Sequence, residues 1–246
     1  MRLKKKDEIM VRKKPLQREA ALAETAHGRA NLYDLLVGAF GCLPDKELVR
    51  KIKSSDLQDL LDICCSLDNL TLETGVNYVK SYRANIKLKS DEEILTELSV
   101  DRTRILRTTS NTNLKPPYEG LYKKDQNSGA SVLAVKNCYR EAGLLPDETV
   151  LESPDYLCVE LDFMYHLCRR EQEQWASAAD ASETVANEER FLREHLGSWV
   201  GEFCSQAEKH ALTDYYRGFL MILDAIIGID MEYLGNLIPT LSSNGP

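Results

Sequence analysis

Residues 152–175 constrain the fold most strongly, because their apolar side chains recur with the period of an α-helix. At about 100° per residue, one broad arc collects the apolar side chains Tyr156, Leu157, Leu161, Phe163, Met164, Leu167, Cys168 and Trp175. The opposite side carries the polar side chains Asp155, Asp162, His166, Arg169 and Glu173. Glu160 lies inside the apolar arc, where a carboxylate needs a partner. We therefore predict a buried amphipathic helix with one carboxylate on its apolar face.

Helical periodicity continues over most of the chain, and no segment shows a convincing strand alternation. We therefore expect an all-α fold, a bundle of about ten helices. Ser153 suits an N-cap and Pro154 suits the first helical position after it. The predicted helices are Pro15–Phe40, Lys46–Lys53, Asp56–Ser66, Leu72–Lys87, Glu92–Arg107, Ala130–Ala142, Pro154 to about Ala179, Glu188–His210 and Thr213–Gly228.

Two polar, turn-rich segments, Thr108–Pro117 and Lys123–Gly129, interrupt the helical pattern near mid-chain. They indicate a linker or hinge over residues 108–129. The predicted organisation is a basic tail, an N-terminal helical subdomain, the hinge, a C-terminal helical subdomain and a short disordered tail, with bounds 1–14, 15–107, 108–129, 130–240 and 241–246. A monomer and a dimer that exchanges helices through the hinge both remain open.

Charge and composition narrow the functional classes. The net charge of −8 argues against a general nucleic-acid binder, and residues 1–14 form a basic tail on an acidic body. No apolar segment after this tail suggests a secretory signal, and none is long enough for a membrane span, so we expect a cytoplasmic protein without stable membrane insertion. Seven cysteines without a Cys-x-x-Cys pair favour reduced thiols, with Cys158, Cys168 and Cys204 buried among apolar residues.

The sequence lacks the catalytic motifs for which we searched. It has no phosphate loop, dinucleotide fingerprint, His-Glu-x-x-His motif or nucleophile elbow. Pairs such as His166 with Cys168, or His195 with Cys204, fall short of a four-ligand metal set. We therefore predict a protein that binds another polypeptide, without catalytic residues, cofactor or metal.

The motifs around Glu152 resemble those of the TorD/DmsD-type redox-enzyme maturation chaperones, within the TorD/NarJ superfamily. The family's Glu-x-Pro-Asp-His motif reads Glu152-Ser153-Pro154-Asp155-Tyr156 here, and Glu160-Leu161-Asp162-Phe163-Met164 follows. The likeness covers roughly residues 30–235 and extends to the segments Leu32–Leu36, Pro117-Tyr118-Glu119 and Phe191–Trp199. Tyr156 replaces the histidine of the motif, and Arg102 and Leu106 stand where the family tends to have aromatic residues.

The resemblance implies a TorD-like fold that binds the apo catalytic subunit of a molybdenum or tungsten oxidoreductase and its twin-arginine signal peptide. Such a chaperone assists cofactor insertion before export. A NarJ-like chaperone for a non-exported, membrane-associated molybdoenzyme and a helical interaction scaffold are the alternatives. A leader with a cationic end and an apolar stretch requires acidic groups beside an apolar groove.

The expected client-binding residues are Glu152, Pro154, Asp155, Tyr156, Glu160, Tyr118 and Glu119. Asp155 can accept hydrogen bonds from an arginine, and the ring of Tyr156 can stack on its guanidinium. A helix cap with a packed tyrosine is the structural alternative. His195 lies within the apolar stripe of its own helix, so a pair between Glu160 and His195 is the simplest way to satisfy both buried groups. An arginine is the competing partner for Glu160.

Overall fold

The computed structural model describes residues 17–107, 113–123, 128–145 and 152–242. These residues contain eleven α-helices and one 3-10 helix, Ile86–Leu88, and none of them lies in a strand. The α-helices are α1 Gln17–Phe40, α2 Lys46–Lys53, α3 Ser55–Cys65, α4 Leu70–Asn85, α5 Asp91–Leu106, α6 Glu119–Tyr122, α7 Ser128–Glu141, α8 Leu157–Ala176, α9 Ser182–Glu194, α10 Leu196–Glu208 and α11 Asp214–Ser242. The all-α prediction is confirmed.

Side-chain caps fix the starts of the N-terminal helices. Asp45, Ser54 and Asn69 accept hydrogen bonds from backbone amides in the first turns of α2, α3 and α4. Ser90 and Glu93 form a reciprocal capping box at the start of α5. Because these caps are local, the predicted starts of these helices fall within two residues of the observed ones.

Several boundaries in the C-terminal half differ from the prediction. Helix α8 begins at Leu157, three residues after Pro154. Residues 153–156 form a turn instead, and the backbone there pairs with residues 117–119. The helix predicted over residues 188–210 begins earlier, at Ser182, and is broken at His195, which separates α9 from α10. Helix α11 extends to Ser242, well beyond the predicted end at Gly228. Residues 241 and 242, predicted to begin the disordered tail, are the last residues of α11. The predicted basic tail, 1–14, and residues 243–246 lie outside the described residues.

Helices from both sides of residues 108–129 share one hydrophobic core. Helix α1 packs along α8, and α4 packs along α11. The α4–α11 contact is close because Gly75 and Gly218 face each other, and a Cβ added to Gly75 would lie 2.8 Å from the Gly218 carbonyl oxygen. The division into two subdomains stays a prediction.

A buried ion cluster links α1 to α8, α9 and α11. The Arg29 guanidinium contacts Glu171, Glu188 and Asp230 at 2.6, 2.5 and 2.5 Å. Burial raises the pKa of Glu188 to about 8, although the charge of Arg29 opposes the shift. One cation among three buried carboxylates explains why a proton is retained on this acid near neutral pH.

Two further predictions concern cysteines and membranes. Cys158, Cys168 and Cys204 are buried free thiols, as predicted. Within residues 17–242, each described helix is either too short or too polar to cross a bilayer.

Candidate functional site

The Glu-x-Pro-Asp-Tyr motif is held by backbone pairing with the mid-chain segment that contains α6. The amide of Glu119 donates to the Asp155 carbonyl at 2.9 Å, and the amide of Leu157 donates to the Pro117 carbonyl at 3.0 Å. This short antiparallel bridge places the rings of Tyr118 and Tyr156 with centroids 5.1 Å apart. Two motifs that are distant in sequence therefore form one local unit.

Asp155 has a structural role within this unit. Its side chain is buried, accepting a hydrogen bond from Ser153 Oγ at 2.5 Å and another from the Gly120 amide at 3.2 Å. Its carboxylate therefore organises the turn before α8 and the start of α6. The expectation that Asp155 holds a client's arginine does not fit this geometry, because both oxygens already accept internal bonds and the group is shielded from solvent.

Glu119 and Glu160 are also buried and internally bonded. Glu119 contacts His195 Nδ1 at 2.9 Å and Lys123 Nζ at 2.8 Å. Burial favours the neutral acid, but hydrogen bonds from His195 and Lys123 outweigh it and lower the pKa of Glu119. Glu160 Oε2 accepts from Trp199 Nε1 at 3.2 Å. Burial, reinforced by the charge of Glu119, raises the pKa of Glu160 well above its usual range.

The predicted Glu160–His195 pair is therefore wrong. His195 pairs with Glu119 because α6 packs against α10 and supplies a carboxylate to the α9–α10 junction. The prediction placed Glu119 near the hinge and did not bring it to His195. Burial and the neighbouring charge of Glu119 favour the neutral form of Glu160, and a neutral acid needs no cation as its partner.

An apolar groove lies beside this unit, with a volume of about 550 Å³. Its walls come from the end of α1, the C-terminal part of α7 and the first half of α8. The apolar lining includes Val37, Tyr139, Leu144, Leu145, Val159 and Phe163. Glu152, Asp162 and His166 supply its polar groups, and the ring of Tyr156 also contributes. This arrangement suits an apolar peptide segment with a nearby positive charge.

An arginine of the chain itself occupies the acidic corner of the groove. Arg107 Nη2 lies 2.6 Å from Glu152 Oε1, and its guanidinium lies 5.8 Å from the ring centroid of Tyr156. Tyr118 donates to Glu152 Oε2 at 2.8 Å. Burial alone would raise the pKa of Glu152, but the bonds from Arg107 and Tyr118 lower it. Glu152 is therefore charged at neutral pH and half-exposed at this corner.

The structure thus brings Glu152, Tyr156 and Tyr118 together around one guanidinium, with Pro154 nearby in the turn. It places Asp155, Glu119 and Glu160 inside the protein. The groove wall formed by α1 and the Leu144–Leu145 turn was missed by sequence reasoning. No local signal identifies that wall, because it depends on how α1 and α7 pack around α8.

Comparison with known proteins identifies the class. A sequence model described as "Nitrate reductase delta subunit" matches residues 70–205, more than half of the chain. The chain belongs to this family, the TorD/NarJ family, as the resemblance implied. The family and the similar curated proteins are chaperones, not enzymes, in agreement with the prediction of a non-catalytic protein.

Individual relatives are distant in sequence, and each is named as a chaperone. The chain is 23% identical over 209 residues to the Chaperone protein TorD of Vibrio vulnificus strain CMCP6, covering 84% of this chain and 94% of the relative. It is 23% identical over 240 residues to the Chaperone protein TorD of Colwellia psychrerythraea, covering 87% and 94%. It is 23% identical over 136 residues to the Perchlorate reductase assembly chaperone protein of Dechloromonas aromatica, covering 54% of this chain and 61% of that relative, which is less than two thirds. No solved structure matches the chain significantly.

Proposed function

We propose that this chain is a cytoplasmic chaperone for a molybdenum or tungsten oxidoreductase. It binds the apo catalytic subunit and its twin-arginine signal peptide, and assists cofactor insertion before export. Family membership and TorD relatives matched over most of their length support the chaperone class. The apolar groove with Glu152 at its corner is the observation that carries the peptide-binding part of the proposal.

The groove supplies both kinds of contact that such a leader requires. Its apolar walls can bury the helix-forming stretch of the peptide, because removing apolar surface from water favours association. Its corner already holds the guanidinium of Arg107 through an ion pair with Glu152 and the face of Tyr156. We propose that a leader arginine takes the place of Arg107 at this corner.

A matched pair of leucine substitutions tests the groove. Leu145 lines the groove and is 69% exposed, whereas Leu133 on α7 is 58% exposed and does not line it. Both side chains are largely solvated, so an aspartate at either position should leave the fold intact. Burying a leucine contributes about 1.5–3 kcal/mol, so Leu145→Asp should weaken binding of a twin-arginine leader peptide at least about tenfold.

Fluorescence anisotropy with a labelled leader peptide measures this effect, with circular dichroism as the folding control. Leu133→Asp should bind the peptide as the parent chain does. A peptide with both arginines changed to glutamine should bind more weakly than the original to the parent chain. Equal affinities of the Leu145→Asp and Leu133→Asp variants would place the peptide elsewhere on the molecule.

A NarJ-like role is the second candidate, and the description of the matching family favours it. Such a chaperone serves a non-exported, membrane-associated molybdoenzyme and binds a segment without paired arginines. Affinity capture from the native cell, followed by sequencing of the captured subunit, separates the two roles. A client that lacks a twin-arginine leader supports the NarJ-like role, and a client that carries one supports the first proposal.

A further inference from the structure

Cys138 lies at the end of a chain of polar contacts on the side of α7 that faces the α9–α10 junction. Its Sγ is 3.4 Å from His195 Nε2. The other ring nitrogen of His195, Nδ1, contacts Glu119 Oε2 at 2.9 Å, and Lys123 holds the second oxygen of Glu119 at 2.8 Å. The order thiol, imidazole, carboxylate is the arrangement in which a histidine activates a nucleophile.

The charges around His195 favour its imidazolium form. Burial alone would lower its pKa, but the hydrogen bonds with Cys138 and Glu119 outweigh burial and raise the pKa to about 9. Lys123, Glu160 and Tyr139 are other titratable groups near Glu119. A ring that carries both protons donates one to Glu119 and directs the other at the sulfur of Cys138. A sulfur beside an imidazolium is the surrounding in which reactive cysteines are found.

The remaining cysteines lie in different surroundings. Cys158, Cys168 and Cys204 are buried, and burial raises the pKa of each, that of Cys158 to about 12. Cys64 is also buried, and burial raises its pKa to about 11. Cys42 and Cys65 are exposed, with Lys80 Nζ 3.9 Å from the sulfur of Cys65, and Cys138 is partly exposed. Within the described part of the chain, Cys138 is the cysteine whose sulfur contacts a histidine. Reactivity at Cys138 would therefore arise from its partners and not from greater exposure.

We propose that Cys138 is a reactive thiol that a peroxide oxidises to the sulfenic acid. The sulfur attacks one oxygen of hydrogen peroxide, so an S–O bond forms as the O–O bond breaks. The departing hydroxide takes the ring proton of His195 and leaves as water. The sulfur loses two electrons, and the peroxide is reduced by the same two electrons. This site is separate from the groove corner and does not depend on peptide binding.

Alkylation of the folded parent chain by limiting iodoacetamide, followed by peptide mass spectrometry, gives a rate for each cysteine. At pH 7 we expect Cys138 to react about tenfold faster than the more exposed Cys42. As the pH rises from 7 to 10, the advantage of Cys138 over Cys42 should shrink, because the ring of His195 loses its charge as the pH passes about 9. Rates that follow exposure, with parallel pH profiles at the two positions, would overturn the proposal.

A His195→Gln variant tests whether the charge of His195 causes the reactivity of Cys138, since glutamine can still donate to Glu119 but carries no charge. Its Cys138 should lose the rate advantage over Cys42 and acquire the same pH profile. If circular dichroism shows that the variant is unfolded, the alkylation rates of Cys138 and Cys42 in the parent chain decide whether Cys138 is a reactive thiol. With hydrogen peroxide and dimedone, the label should appear first at Cys138. Labelling first at Cys42, or no labelling at Cys138, would refute the assigned chemistry.

Discussion

Arg107 tests the idea that the corner of the groove receives an arginine from the client. Its guanidinium contacts Glu152 and the ring of Tyr156, as we propose for the leader's arginine. If the proposal is correct, Arg107 competes with the peptide for these two groups. An Arg107→Gln substitution should therefore strengthen binding of a twin-arginine leader, although it removes a contact from the folded protein.

The contacts that Arg107 makes in the structure set the size of the expected gain in peptide affinity. The side chains of Arg107 and Glu152 are 44% and 34% exposed, so their ion pair contributes only about 0.2–1 kcal/mol. The contact of the guanidinium with Tyr156 at 5.8 Å adds about 0.5–1 kcal/mol. A ligand no longer has to displace these contacts in the variant, so its affinity should rise about three- to thirtyfold. The stability loss is small enough for the variant to fold.

Titration of the labelled leader at low salt and at about 0.5 M salt measures this effect. The gain should shrink at high salt, because the exposed pair is screened. Arg193→Gln is the matched control, since it removes the same charge from an exposed pair with Glu189 on α9. Equal gains in both variants would reflect net charge alone. An unchanged or weaker affinity in Arg107→Gln alone would refute the competition.

Three further predictions concern stability, measured by urea unfolding. The pKa of His195 is raised from about 6.5 to about 9 on folding, so its stabilisation is full below pH 6.5 and is lost as pH rises through 9. The parent chain should lose stability over this range, and His195→Gln should lose less; parallel profiles would contradict this. Arg29→Met should cost about 3–5 kcal/mol, because it leaves three buried carboxylates without their cation; a loss below about 1 kcal/mol would count against the buried cluster. Gly75→Ala should cost about 1–3 kcal/mol through overpacking against α11, whereas Gly228→Ala, which meets no atom within 4 Å, should be neutral or stabilising; equal effects would contradict the close helix contact.

The candidate site could be predicted only in part. The family motifs led to Glu152, Tyr156 and Tyr118, which meet at one corner of the groove. The same motifs also indicated Asp155 and Glu119, which are buried and bonded within the chain. A sequence motif does not distinguish a carboxylate that binds a ligand from one that organises a turn. That distinction depends on which donors the fold brings to each oxygen.

The sequence by itself determined the helical class and most helix starts, because periodicity and caps act over a few residues. Tertiary structure decided the partners of the buried charges and the shape of the groove. His195 pairs with Glu119, 76 residues away, because a backbone bridge and the packing of α6 bring them together. Local patterns show that a buried charge needs a partner, but only the three-dimensional packing selects one.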